Sequence, residues 1–401
     1  MKEVDKIFNS FLKDSIFKNK YILQSNYIPE SINHREKEIT QIASIVAPAL
    51  RLEKISNLFI YGKTGTGKTL SILYLRDQML KKAKEQGINL TIEYINCKLK
   101  KVADTEYRIL SELIRKLGGS VPDTGLPTDV VYTKFMELLE SKKQIFIIIL
   151  DEIDYIVEKI SDQFLYNLTR LNSELSKTQI NIIGISNDLT FLDNLDPRVK
   201  SSLSEEEIVF APYDAVQLQD ILRERSKKAF KEDVIEKAVI EKCAAYAARE
   251  HGDARRALDL LRIAGELVER DNSKQITLEY IDKANEKIER DKILDIVETE
   301  PKQFQLTLLS IIQLVESKKI DKIFTGDVYE HYQILCKQIS FDPLTQRRIG
   351  DIIAEFDMLG IINAKVVSKG RYGRMREIKL AINQNILEKI KKILYDSLNL
   401  H

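Results

Sequence analysis

From about residue 50 to 210, short apolar runs rich in β-branched residues alternate with amphipathic stretches of helical period. The runs fall at residues 57–61, 91–96, 145–150, 181–186 and 207–210. Such near-continuous apolarity suits parallel strands buried on both faces, with helical crossovers between them. The pattern predicts a doubly wound α/β domain which, together with its N-terminal extension, covers residues 1–212. From Tyr213 onward strand runs vanish and helical periodicity takes over, with Asp214 and Asp253 placed as helix starts; residues 213–298 read as a small helical domain. Thr299-Glu300-Pro301 breaks that pattern. Beyond it come helical stretches at 305–316, 326–338 and 344–359, then strand runs at 361–367 and 377–381. The strand runs flank Ser368-Lys369-Gly370-Arg371-Tyr372-Gly373-Arg374, whose glycines mark a hairpin tip. Three helices and a hairpin over residues 299–401 predict a winged helix.

A length of 401 residues with 44% hydrophobic and 31% charged positions agrees with two or three globular domains. The formal charge is only +1, so any affinity for nucleic acid has to come from a local patch. Cys97, Cys243 and Cys336 have no paired spacing for zinc or redox chemistry and read as small buried residues in a reducing interior. The start of the chain lacks a signal peptide's apolar run, and no long uncharged stretch suggests a membrane span, so the expectation is a soluble, cytoplasmic protein.

The strongest chemical signal is Gly62-Lys63-Thr64-Gly65-Thr66-Gly67-Lys68-Thr69, a full Walker A pattern between an apolar run and a helical stretch. Its glycines let successive backbone N–H groups turn toward phosphates, and the following helix adds its positive end. Lys68 is placed to reach the β- and γ-phosphates, and the Thr69 hydroxyl to ligate Mg²⁺. The run at 145–150 ends in Asp151-Glu152, which puts two carboxylates at the sheet edge where ligands of α/β folds bind. Asp151 suits holding Mg²⁺ through water and Glu152 suits polarising the attacking water. Ser186-Asn187 closes the run at 181–186; Asn187 is a candidate for the γ-phosphate or that water, or simply a turn-forming asparagine. ATP or ADP with Mg²⁺ is the expected ligand set.

At the other end of the chain, Lys365, Lys369, Arg371, Arg374, Arg376 and Lys379 stand against the single acid Glu377, with Tyr372 at the hairpin tip. Arginines in such a wing suit a minor groove or the phosphate rails. The preceding helix opens with Thr345, Gln346, Arg347 and Arg348, polar side chains where helix-turn-helix proteins meet base edges. A basic hairpin is also often just a solvated face, and a winged helix can pack on protein.

In order along the chain, the Walker A segment, Asp151-Glu152, Asn187 and Gly252-Asp253-Ala254-Arg255-Arg256-Ala257-Leu258 resemble the motif set of AAA+ ATPases. The resemblance implies an α/β AAA+ P-loop domain with a helical lid, followed by a C-terminal winged-helix domain. It also implies that Arg255 is sensor 2, touching the γ-phosphate from the lid; Arg256 points about 100° away around a helix. Across nearly the whole chain the likeness extends to archaeal origin-recognition proteins of the Orc/Cdc type. Tyr27-Ile28-Pro29-Glu30 and His34-Arg35-Glu36 are similar to that family's N-terminal segment, which implies Tyr27, Ile28, Pro29 and Arg35 around adenine. The segment from Leu195 through Arg198 to Leu203 looks like its box VII, which implies an arginine finger acting in a neighbour's site. On chemistry alone Arg198 equally suits a helix cap or a pairing with Glu205, Glu206 or Glu207.

Residues 101–122 stand where the family carries an initiator-specific insertion, with Lys100, Lys101, Arg108 and Arg115 as candidate phosphate contacts. The implied activity is slow ATP hydrolysis used as a switch. The implied partners are duplex origin DNA, other initiator subunits and the replicative helicase, at a nucleoid-associated location. The competing reading is a regulatory or remodelling AAA+ ATPase whose winged helix binds protein.

Overall fold

The computed structural model describes residues 15–98, 105–122, 124–203, 205–318, 323–368, 374–382 and 384–400. The chain forms two compact units, Met1–Ile281 and Asp282–His401. In the first, strands β1 (Asn57–Tyr61), β2 (Leu90–Asn96), β3 (Gln144–Asp151), β4 (Thr178–Ser186) and β5 (Glu205–Val209) build one parallel sheet in the order β2-β3-β4-β1-β5. All eight residues of β3 are buried. Alternation along that strand divides the interior in two. Phe146, Ile148 and Leu150 enter the core that holds Phe59, Phe164 and Leu168, whereas Ile145, Ile147 and Ile149 enter the opposite core with Ile60, Ile72 and Ile183.

The observed strands run past the apolar runs where a polar residue finds a partner. Gln144 accepts a hydrogen bond from Thr91 Oγ1 at 2.9 Å and donates to the Leu139 carbonyl. Thr178 Oγ1 donates to that same carbonyl, so β4 begins three residues before the apolar stretch. Strand β5 starts at Glu205, two residues early, because an edge strand exposes side chains that a central strand would have to bury.

Helices Ala215–Ala229, Val239–Arg249 and Ala254–Arg270 make the lid. Asp214 caps the first in a reciprocal box with Gln217, and Asp253 caps the third by accepting from the N–H groups of Arg255 and Arg256. The N-terminal extension, expected with the α/β domain, lies on the lid. Phe17 stacks on Phe230 with centroids 4.7 Å apart, Lys18 N–H donates to the Ala229 carbonyl, and Lys20 pairs with Glu266 at 2.8 Å.

The second unit contains helices Lys302–Lys318, Thr325–Gln338, Gln346–Met358 and Gln384–Leu398. The first three pack against an antiparallel sheet, β6-β8-β7, of β6 (Ile323–Phe324), β7 (Ile362–Ser368) and β8 (Arg374–Leu380). Phe304 and Phe356 meet edge to face at 4.2 Å in its core. Strand β6 and the last helix were not legible in the periodicity; a two-residue strand is too short to show alternation. The boundary between units falls at Ile281/Asp282, inside the helix Leu278–Thr299 and upstream of the sequence break at Pro301. Among the described residues all the cysteines are free and buried, and no helix is long and apolar enough to cross a membrane.

Candidate functional site

The sheet order places the chemistry. Strand β4 lies between β1 and β3, so the loop after β1, Asp151 at the end of β3 and Asn187 after β4 converge at the C-terminal edge. The loop's glycines are conformational requirements: Gly65 and Gly67 sit at φ +75° and +90°. A Cβ on Gly65 would lie 1.7 Å from Asp253 Oδ1, and one on Gly67 would lie 2.7 Å from the Tyr213 hydroxyl. The lid therefore touches the loop directly, and the Ala254 N–H donates to the Gly65 carbonyl at 3.2 Å.

Lys68 is only 6% exposed and donates to the carbonyls of Gly62 and Lys63 and to Asn187 Oδ1, the last at 2.9 Å. Burial pushes its ammonium down to about 8, partly offset by Asp151. Thr69 Oγ1 donates to Asp151 Oδ2 at 2.9 Å, Tyr94 Oη donates to the same oxygen at 2.8 Å, and the Glu152 N–H donates to Oδ1 at 3.1 Å. Burial and the neighbouring Asp151 raise the Tyr94 hydroxyl above its ordinary range, so it stays a donor. A carboxylate offers about four acceptor places, and the fourth suits a water bound to Mg²⁺. Thr69 and Asp151 are thus a hard-oxygen set that fits the cation. Glu152 adopts φ +56°, an uncommon conformation for a non-glycine residue, and pairs with Lys98 at 3.6 Å.

These groups line a cavity of about 520 Å³. Tyr27, Ile28 and Pro29 from the N-terminal segment line it, as do Thr64, Thr66, Glu152 and Arg255. Among the described residues the Arg255 guanidinium has no hydrogen-bond or ion-pair partner, while Arg256 turns to Glu250 at 3.3 Å. Arg35 departs from expectation. At 3% exposure it does not line the cavity; it braces the loop from behind, donating to the carbonyls of Thr66 and Ala211, pairing with Glu38 and lying 3.9 Å over the Tyr213 ring. A buried guanidinium meets two carbonyls and a carboxylate there, which no adenine contact could replace. Lys63 also points away, toward His251 Nδ1 at 3.3 Å. Arg198 is 82% exposed, away from its own chain's cavity, and pairs with Asp196 at 3.0 Å, not with Glu205, Glu206 or Glu207.

Some wall residues carried no motif. Arg225 is 7% exposed, lies 4.5 Å over the Tyr27 ring and donates to the Ile22 carbonyl at 3.3 Å. Its neighbour Glu224 accepts from Asn33 Nδ2 at 2.8 Å. An arginine on an otherwise regular lid helix has no local signature. Tyr94 looked like any strand tyrosine.

In the second unit Thr345 caps the helix Gln346–Met358, and Gln346, Arg347 and Arg348 are exposed at its start. Arg376 is half-buried and donates to the Gly350 carbonyl, so it ties the hairpin to that helix. Lys369, Arg371, Tyr372 and the Arg374 side chain lie outside the described residues, as do Lys100 and Lys101.

A P-loop sheet under a helical lid, followed along the chain by a winged helix, defines an AAA+ ATPase-type protein of the nucleotide-binding class; family models match as an AAA domain over residues 53–190, a Cdc6 AAA+ ATPase-type lid domain over 219–286 and a CDC6 C-terminal winged helix domain over 295–390. The ORC1-type DNA replication protein of Thermococcus kodakarensis is 49% identical over 389 residues, 96% of this chain and 93% of its own length. The chain belongs to the ORC1-type DNA replication proteins. ORC1-type DNA replication protein 1 of Methanosarcina mazei is 48% identical over 399 residues, covering 99% of this chain and 95% of its own. The structure of the Aeropyrum pernix ORC1 protein in complex with DNA is similar with a TM-score of 0.80 and 41% identity, over 96% of this chain and 98% of that one.

Proposed function

We propose that this chain is an ATP-controlled replication initiator that binds duplex origin DNA and helps bring the replicative helicase to it. Residues 1–212 serve as the nucleotide-binding domain with its N-terminal extension, 213–298 as lid and 299–401 as the DNA-binding winged helix. The observation that carries the ATP half is the meeting of Lys68, Thr69, Asp151 and Asn187 at one cavity that Tyr27 and Arg255 also line.

Lys68 and Arg255 offer positive charge to the β- and γ-phosphates, and Tyr27, Ile28 and Pro29 pack on the base. Thr69 and Asp151 hold Mg²⁺, which when bound neutralises phosphate charge. Glu152 orients a water and takes its proton as the water adds to the γ-phosphorus, while the bond to the β-phosphate oxygen breaks to leave ADP and phosphate. With Arg198 pointing away from its own cavity, a neighbouring initiator subunit is the recipient of its charge. Hydrolysis acts as a slow switch between DNA-bound states, on chromosomal DNA in the cytoplasm.

Support for the DNA half comes from the Aeropyrum pernix protein, solved with DNA at 41% identity, and from the exposed Gln346, Arg347 and Arg348. Fluorescence anisotropy with duplex DNA at several salt concentrations tests it. Wild type should bind with a steep salt slope, reduced by about two in Arg347→Ala/Arg348→Ala and again by about two in Arg371→Ala/Arg374→Ala. Absence of salt-dependent binding by wild type would favour a winged helix that packs on protein.

A further inference from the structure

We infer that the Tyr94 hydroxyl is a positioning group for the Mg²⁺ site: together with Thr69 it locks one oxygen of Asp151, leaving the other to serve the metal's hydration shell. The inference rests on the nucleotide reading proposed above. Strand β2 runs beside β3 with Asn96 opposite Asp151 and Tyr94 opposite Ile149. Tyr94 and Asn96 share a face of β2, because side chains alternate along a strand. Tyr94 packs against the core that holds Ile72, Leu75 and Met79 of the P-loop helix, Lys68–Gln86, so the phenol reaches the carboxylate on the face of the sheet from which that helix supplies Thr69.

Asp151 is 5% exposed, so little solvent is available to hold its rotamer or satisfy its charge. Thr69 at 2.9 Å and Tyr94 at 2.8 Å both donate to Oδ2, and the Glu152 N–H at 3.1 Å takes one place on Oδ1. Two hydroxyls from different elements on one oxygen define the plane of the carboxylate. A free rotation about χ2 would break both. Without Tyr94, Thr69 becomes the sole anchor of Oδ2, and Thr69 is the group that must also turn a lone pair to the cation. The two demands on Thr69 agree only while the carboxylate stays where Tyr94 holds it. Outer partners of this kind commonly tune metal affinity by about 10- to 100-fold.

Tyr94→Phe removes a single oxygen and keeps the ring, so the packing of β2 is preserved. The test is a titration of full-length protein with fluorescent ATP, in EDTA and then across a Mg²⁺ series, with thermal melting of both proteins alongside. The expected result is an unchanged affinity in EDTA, a small drop in melting temperature from the lost hydrogen bond, and a Mg²⁺ midpoint raised about tenfold. Mn²⁺ bound to the protein–nucleotide complex, read by its electron paramagnetic resonance, should weaken by the same factor. An unchanged Mg²⁺ midpoint would overturn the role. So would an equal loss with and without Mg²⁺, which marks a general packing effect. Tyr94→Leu provides the control for packing: it removes the ring together with the hydroxyl, so it should lose affinity in EDTA as well, and a Tyr94→Phe variant that shows this same loss in EDTA would overturn the role of the hydroxyl. Failure of wild type to bind nucleotide would instead overturn the nucleotide site itself, and the Tyr94 role with it.

Discussion

Lys68 holds a positive charge in a place that opposes it. Burial lowers its ammonium to about 8, Asp151 pulls it back up, and Arg255, Asp154 and Glu152 add smaller effects. Since the unfolded lysine titrates near ~10.4, the unfolded chain binds more protons between the two values. Stability without nucleotide should therefore rise as pH climbs through that window. Nucleotide binding should run the other way, because phosphate favours the ammonium. Affinity is expected to fall above pH 8, by up to about tenfold per pH unit, in a fluorescent-nucleotide titration at pH 7, 8 and 9. Lys68→Arg, which stays charged, should flatten that dependence. An affinity constant from pH 7 to 9 in wild type would mean Lys68 is not the group that meets the phosphates. Arg35 gives the opposite lesson at the same scale. Its place in a recognisable motif suggested a ligand, and its burial against Thr66, Ala211 and Glu38 makes it a brace for the loop.

Between elements, the contact that matters most for the site is that of the lid on the P-loop. Asp253 caps the lid helix and lies directly against Gly65, where glycine's freedom at φ +75° is needed on both conformational and steric grounds. Gly65→Ala would force its new Cβ into the Asp253 carboxylate, so Asp253 must give up its cap on the N–H groups of Arg255 and Arg256 or the lid helix must withdraw, and either change loosens the hold on Arg255. Displacement of a positioning group by about 1 Å can cost roughly 100-fold in rate, so hydrolysis should fall by that order. A phosphate-release assay checks this. Wild-type turnover in Gly65→Ala would show that lid closure on the loop contributes nothing to hydrolysis.

The whole molecule divides into two units, each with an interior of its own: the cores around the parallel sheet in one, and the cluster around Phe304, Tyr332 and Phe356 in the other. A nucleotide held in the first unit stabilises that unit by mass action, about 2.7 kcal/mol at a hundredfold excess over Kd. Differential scanning calorimetry with ATP and Mg²⁺ should accordingly move one component of the melting profile upward and leave a second in place. A single transition that shifts as one would show that the units unfold together and that nucleotide binding is felt throughout the chain.

The local signals in the sequence were strong wherever the residue's role depends on its immediate neighbours. A glycine-rich loop between an apolar run and a helix can do little else, so Gly62 to Thr69 was legible, as were the five strands, the caps at Asp214 and Asp253 and the helix that begins after Thr345. The order of those strands was not, because parallel pairing is chosen by packing on two faces at once; only the fold sets β4 between β1 and β3 and brings Asn187 to Lys68. The same holds for the N-terminal extension, whose apolar residues suit several surfaces and settle on the lid through Phe17 and Phe230. Tyr94 and Arg225 carry no pattern at all. Their importance comes from which distant side chain they meet, Asp151 for one and Tyr27 for the other, and that is decided by tertiary structure because hydrogen bonds and ring contacts depend on position in space and not along the chain.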